Sequence, residues 1–131
     1  MPTHPVISIV DDDESVREAT MDLIRAMGFI AEAFEHADAF FKSNSLHSTC
    51  CLIADMRMPG MSGLELHDRL VGLGNAIPTI LITAFPDDRD RERAMRNGVM
   101  CYLTKPFDEN ELLACIRLAL AQEAKSNGCS K

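Results

Sequence analysis

Short apolar runs alternate along this chain with stretches in which apolar residues return at every third or fourth position. The run PVISIV at 5–10 is short and β-branched and predicts strand β1. Val16, Ala19, Leu23, Ile24 and Met27 then recur at helical spacing until Gly28, predicting helix α1. FIAEAF at 29–34 predicts β2, and residues 37–41 a short α2 with Asp38 near its start. CCLIAD at 50–55 predicts β3; Leu64, Leu66, Leu70, Val71 and Leu73 predict α3, ending near Gly74. IPTILIT at 77–83 predicts β4, and the highly charged 87–96 predicts α4, closed by Asn97-Gly98. VMCYLT at 99–104 predicts β5, and Leu112, Leu113, Ile116, Ala119 and Leu120 predict α5.

This is five βα units in succession, with β1, β3 and β4 nearly continuous apolar runs. Such runs belong to parallel strands covered on both faces. Repeated βαβ with short loops implies an α/β fold: a doubly wound five-stranded parallel sheet, (βα)5, of the flavodoxin-like type. The strand order that suits it is 2-1-3-4-5. Ligands of such sheets bind beyond the carboxyl ends of the strands where the winding direction switches, here between β1 and β3. Asp11 and Asp12 end β1, Asp55 ends β3, Thr83 ends β4 and Lys105 follows β5, so all are expected at one edge.

The chain has 131 residues, 47% of them hydrophobic, which suits a single domain with a proper core. A formal charge of -7 argues against a surface made for nucleic acid or anionic membrane. No run reaches the ~18 apolar residues of a membrane span, and the start MPTHPVISIV lacks the pattern of a signal peptide. The five cysteines form no CxxC pattern, so they read as reduced, mostly buried thiols of a cytoplasmic protein. Cys129 in the polar tail KSNGCSK is the one expected to meet solvent.

Three carboxylates in one crevice repel unless a cation joins them or some stay protonated. Oxygen donors without Cys or His suit a hard cation, Mg2+ above all, which takes one or two carboxylates and leaves room for phosphate oxygens. A carboxylate can itself become a nucleophile and carry a phosphoryl group. A phosphoryl group on Asp55 needs positive charge and hydrogen-bond donors, which Lys105 and Thr83 offer. Singly each residue has a plain role: Asp12 or Asp13 as an N-cap, Asp55 and Thr83 as strand-end residues, Lys105 as a surface charge. Their joint placement around one switch point is what indicates a site.

The pieces IVDDD, ADMRMPGMSGLEL, ILITA and YLTKPF, in that order, resemble the receiver domain of two-component response regulators over residues 5–122. The set is most similar to receivers of nitrogen-fixation and nodulation regulators that carry a helix-turn-helix output domain. The resemblance implies that Asp55 accepts a phosphoryl group from a sensor histidine kinase. It implies Mg2+ bound by Asp12, Asp55 and the backbone carbonyl of Arg57, with Asp11 reaching it through water. It implies Lys105 and Thr83 on the phosphoryl group, Tyr102 as the switch aromatic answering Thr83, and a cis bond before Pro106. It further implies a homodimer or partner contact through the α4-β5-α5 face. Residues 123–131 then read as a polar tail or the start of a linker, in a stand-alone receiver or a fragment of a longer regulator.

Arg57 and Phe85 stand two positions after Asp55 and Thr83 and flank the route of an attacking water. Phe85 is expected to exclude that water, so Phe85→Ala should release phosphate faster. Within PDDRDRER, Asp87–Arg91 and Glu92–Arg96 are spaced for i,i+4 pairs, and Arg89, Arg93 or Arg96 could meet Asp108, Glu109 or Glu111 of a partner copy. Among other functions, an Mg2+-dependent phosphatase of the haloacid dehalogenase type would use Asp11 as nucleophile, but Glu14-Ser15 departs from its D-x-D-x-[TV] motif. A flavodoxin-like cofactor site wants a Ser/Thr/Gly phosphate loop where this chain has carboxylates. A receiver without phosphorylation would be expected to lack one of the acids or the lysine.

Overall fold

The computed structural model describes residues 5–125. Its strands are β1 Val6–Val10, β2 Ile30–Phe34, β3 Thr49–Asp55, β4 Thr79–Thr83 and β5 Cys101–Thr104. Its helices are α1 Glu14–Ala26, α2 Ala37–Phe41, α3 Gly63–Gly72, α4 Asp88–Arg96 and α5 Glu109–Lys125, with a 3-10 turn at Asn44–His47 that periodicity did not announce. The strands form one parallel sheet in the expected order β2-β1-β3-β4-β5.

Successive strand residues point to opposite faces, and both faces are covered. Val10, Leu52, Ala54 and Leu81 pack with Phe40, Leu66, Leu70 and Ala94 on one side. Ile7, Ile9, Ile53, Ile80 and Ile82 pack with Ile24, Leu112 and Ile116 on the other. This is why the central strands read as unbroken apolar runs. Truncating a fully buried side chain such as Leu70 to alanine would cost about 2–5 kcal/mol.

The boundaries shift for local reasons. Pro78 has no N–H to give, its carbonyl accepts from the Leu52 N–H at 2.9 Å, and β4 begins one residue later. Asp87 lies outside α4 as its N-cap, its Oδ1 accepting from the N–H groups of Arg89 and Asp90 at 2.8 and 3.2 Å. That role displaces the expected Asp87–Arg91 pair. Among the described residues the α4 ion pairs are instead Arg57–Asp90 at 3.1 Å and Arg93–Asp90 at 3.5 Å. Helix α3 starts in a capping box: the Glu65 N–H donates to Ser62 Oγ and the Ser62 N–H to Glu65 Oε1.

Burial pushes the Cys115 thiol up to about 12, with help from the neighbouring Cys101 and Glu111. Cys101 and Cys115 are free thiols, whereas Cys50 stands in a disulfide, which departs from the expectation of reduced thiols throughout. Cys129 and the tail lie outside the described residues. No described helix is long and apolar enough to cross a membrane.

Candidate functional site

The acidic run after β1 divides by role. The Asp11 N–H donates to the Phe34 carbonyl at 3.1 Å, carrying the β1–β2 pairing one step past the strand. Its side chain is fully buried, and Oδ1 accepts from the Asp13 N–H at 2.9 Å. Asp13 turns the other way and caps α1, accepting from the Val16 N–H at 3.2 Å. There its charge meets the positive end of the helix dipole. Asp12, between them, is exposed. Arg17 reaches back from α1 to donate to the Asp11 carbonyl oxygen at 2.8 Å, so the turn is clamped from both sides.

Asp55 ends β3 with little exposure, and its Oδ1 accepts from the Arg57 N–H at 3.1 Å. The Met56 N–H donates to the Ile82 carbonyl at 2.7 Å, and the Gly63 N–H to the Met56 carbonyl at 3.2 Å. The loop therefore folds tightly back onto α3. Gly63 is required there: a Cβ would lie 2.5 Å from the Asp55 carbonyl oxygen. The Lys105 N–H donates to the Thr83 carbonyl at 2.7 Å, which seats the lysine beside the end of β4. Its Nζ donates to Asp11 Oδ2 at 3.3 Å and to Asp55 Oδ2 at 3.1 Å. The Lys105–Pro106 peptide is cis.

Burial pushes the Asp11 carboxyl above its ordinary range, and the Asp55 charge adds to this against the Asp13 hydrogen bond and Lys105. Burial opposes the Lys105 ammonium, but its hydrogen bonds and the charges of Asp55 and Asp11 outweigh that and raise its pKa. One ammonium thus serves two acids, with the carboxylate of Asp12 beside them. Oxygens of Asp11, Asp12 and Asp55 come within 4.8 Å of one another, an all-oxygen donor set with surplus negative charge. It fits a hard divalent cation.

Thr83 is fully buried and its Oγ1 accepts from the Phe85 N–H at 3.0 Å. The Phe85 ring is 69% exposed, so it does not pack over the acids in this state. Tyr102 pairs with Leu81 in the sheet and packs on the core beneath α4, with the Arg91 guanidinium 5.4 Å from its ring centre. Its hydroxyl is buried with no hydrogen-bond partner among the described residues. Asp11, Asp12, Asp55, Thr83 and Lys105 thus share one edge, as the topology required. Arg17, Gly63 and the Arg57–Asp90 pair were not foreseen, because each depends on a contact between elements that no spacing reveals.

The model of the response regulator receiver domain matches residues 7–117. Response regulator protein TodT of Pseudomonas putida is 42% identical over 93% of this chain and 55% of its own length. Nodulation protein W of Bradyrhizobium diazoefficiens is 36% identical over 94% of this chain and 54% of its own. The structure of response regulator StyR superposes with a TM-score of 0.87 at 41% identity, over 95% of this chain and 63% of that one. The chain spans about half the length of the curated relatives it matches. Nothing in these likenesses supports the phosphatase alternative. With the sheet order, the acid edge and these matches in agreement, the chain belongs to the receiver domain family of two-component response regulators.

Proposed function

We infer that Asp55 is the phosphoacceptor of a sensor histidine kinase and that its modification switches the α4-β5-α5 face. The observation that carries this is Lys105 Nζ held between Asp55 and Asp11 beside a third carboxylate. A carboxylate oxygen of Asp55 attacks phosphorus, the bond to the donor's histidine nitrogen breaks, and the electron pair leaves with that nitrogen. Lys105 then meets the transferred charge and the Thr83 hydroxyl donates to a phosphoryl oxygen; positioning and charge do the work. Asp11, Asp12, Asp55 and the Arg57 carbonyl would hold Mg2+, which when bound neutralises the acids and the phosphoryl charge. Thr83, drawn toward Asp55, vacates space that Tyr102 fills, giving its orphaned hydroxyl a new environment.

The domain of 5–122 is a signalling acceptor that promotes its own phosphorylation and dephosphorylation, in the cytoplasm beside its kinase. The greater length of the relatives leaves room for a DNA-binding output domain after the 123–131 segment, and this domain itself is not proposed to bind nucleic acid. The test is incubation with Mg2+ and a small phosphoryl donor, then location of the added mass. Stable labelling at Asp55, absent in Asp55→Asn, is expected. Labelling at Asp11 with turnover would instead restore the phosphatase reading.

A further inference from the structure

Helix α4 is loosely held. Ala94 is its one buried residue, placed toward the carboxyl end. That end is fastened further by Asn97, whose Nδ2 donates to both carboxylate oxygens of Asp68 at 3.2 and 3.0 Å. Among the described residues, the first turn has a single side-chain tie to another element. It carries Asp87, Asp88 and Asp90, and the cation reaching it from outside the helix is Arg57. The Arg57 guanidinium donates to Asp90 Oδ2 at 3.1 Å, and its charge is also among the influences that lower the Asp87 carboxyl. Asp90 keeps 18% of its side chain exposed against 55% for Arg57, so the acid end of the pair is the more fixed.

Arg57 has a second tie. Its backbone N–H donates to Asp55 Oδ1 at 3.1 Å, so the root of this side chain is hydrogen-bonded to the proposed phosphoacceptor. A cleft of about 670 Å³ lies beside it, lined by Met56, Arg57, Glu65, Asp90 and Arg93 among others, so the guanidinium has room to swing. A phosphoryl group brings more negative charge and more acceptor oxygens than a single carboxylate, and guanidinium pairs with such oxygens in bidentate fashion.

We propose that Arg57 is a relay between the two sites: it holds the first turn of α4 through Asp90, and on modification of Asp55 it exchanges Asp90 for the phosphoryl oxygens and frees that turn. Resting on the phosphoacceptor reading above, this adds a second path to α4 beside the Thr83–Tyr102 pair. Arg93, already 3.5 Å from Asp90, remains as its partner after the exchange. The release is therefore of the Arg57 tie alone and leaves no acid stranded.

Two anions competing for one cation give opposite signs on substitution. The probe is beryllium fluoride with Mg2+, titrated against the intact chain and read by fluorine NMR, with amide hydrogen exchange over 88–96 as second readout. Asp90→Asn, which frees Arg57, is expected to tighten beryllium fluoride binding about three- to tenfold and to speed first-turn exchange without the ligand. Arg57→Gln is expected to loosen binding by a similar factor while also speeding exchange. In the Arg57→Gln background, Asp90→Asn should then leave beryllium fluoride binding unchanged, while first-turn exchange still answers to the loss of the Arg93–Asp90 pair. Binding to the parent with no tightening in a folded Asp90→Asn chain overturns the relay and leaves Asp55 as acceptor. No binding to the parent, or binding undiminished by Asp55→Asn, overturns both.

Discussion

The buried Asp11 carboxylate is a destabilising element in the metal-free chain. Its raised pKa means that the folded state binds a proton more tightly than the unfolded chain. Its contribution to stability therefore falls as pH rises from the ordinary 3.8 through the raised folded value. Asparagine keeps the shape and can still accept from the Asp13 N–H, but removes the charge. Asp11→Asn is expected to stabilise the chain in chelator by about 1 kcal/mol, read as a Tm rise of about 3–6 °C. The same variant should lose most of the Tm gain that Mg2+ gives the parent. Melts with chelator and with Mg2+ decide it; a variant melting below the parent in chelator would show that Asp11 stabilises without metal. Asp11, Asp12, Asp55, Thr83 and Lys105 were legible from sequence because each stands at a strand end and the topology aligns strand ends. Arg17 and Asp90 were not, since their partners lie on other elements and an arginine or aspartate on a charged helix reads as solvated surface. Phe85 is the converse: its position was legible, its exposure was not, and with the ring open to water Phe85→Ala should shorten the phosphoryl lifetime by no more than a few-fold.

At the scale of elements, the acceptor loop depends on how closely α3 approaches β3. A Cβ on Gly63 would lie 2.5 Å from the Asp55 carbonyl oxygen and 2.8 Å from Leu81 Cδ2. The first of these is backbone and cannot turn aside. Gly63→Ala should therefore cost about 2 kcal/mol, in the range of overpacked cores. It should also slow phosphorylation, because the end of β3 must move. Gly72 supplies the contrast: it closes the same helix, and a Cβ there would meet nothing within 4 Å. Gly72→Ala is expected to be neutral or to stabilise by up to about 1 kcal/mol through helix propensity alone. Urea midpoints of the two variants should move apart, and equal midpoints would show that the contact relaxes freely. Nothing in the sequence sets the two glycines apart. Element type and order were visible because the two periodicities differ and both sheet faces are covered, whereas the crowding at Gly63 exists only once α3 is laid on the sheet.

For the whole molecule, charge is unevenly spent. The net is -7, yet α4 carries Arg89, Arg91, Arg93 and Arg96, and the start of α5 carries Asp108, Glu109 and Glu111 nearby in the chain. Arg93 is engaged by Asp90 and Arg91 lies over Tyr102, whereas Arg89 and Arg96 make no ion pair among the described residues. Met95 on α4 and Leu118 on α5 add exposed apolar surface at 48% and 58%. A second copy related by twofold symmetry could set the arginines of one α4 against the acids of the other α5, each contact counted twice. Exposed pairs contribute only about 0.2–1 kcal/mol each, so several are needed, and all weaken together with salt. Phosphorylated protein is therefore expected to dimerise more weakly by about tenfold between roughly 50 and 500 mM salt, where the Debye length falls from beyond to within the reach of a side chain. Arg89→Glu together with Arg96→Glu should abolish the dimer without changing labelling at Asp55, because neither touches the acid edge. Sedimentation of the phosphorylated chain across that range measures both effects. A monomer at every salt concentration with the phosphoryl group present removes the interface, and a dimer indifferent to salt would place the association on the apolar residues instead of the charges.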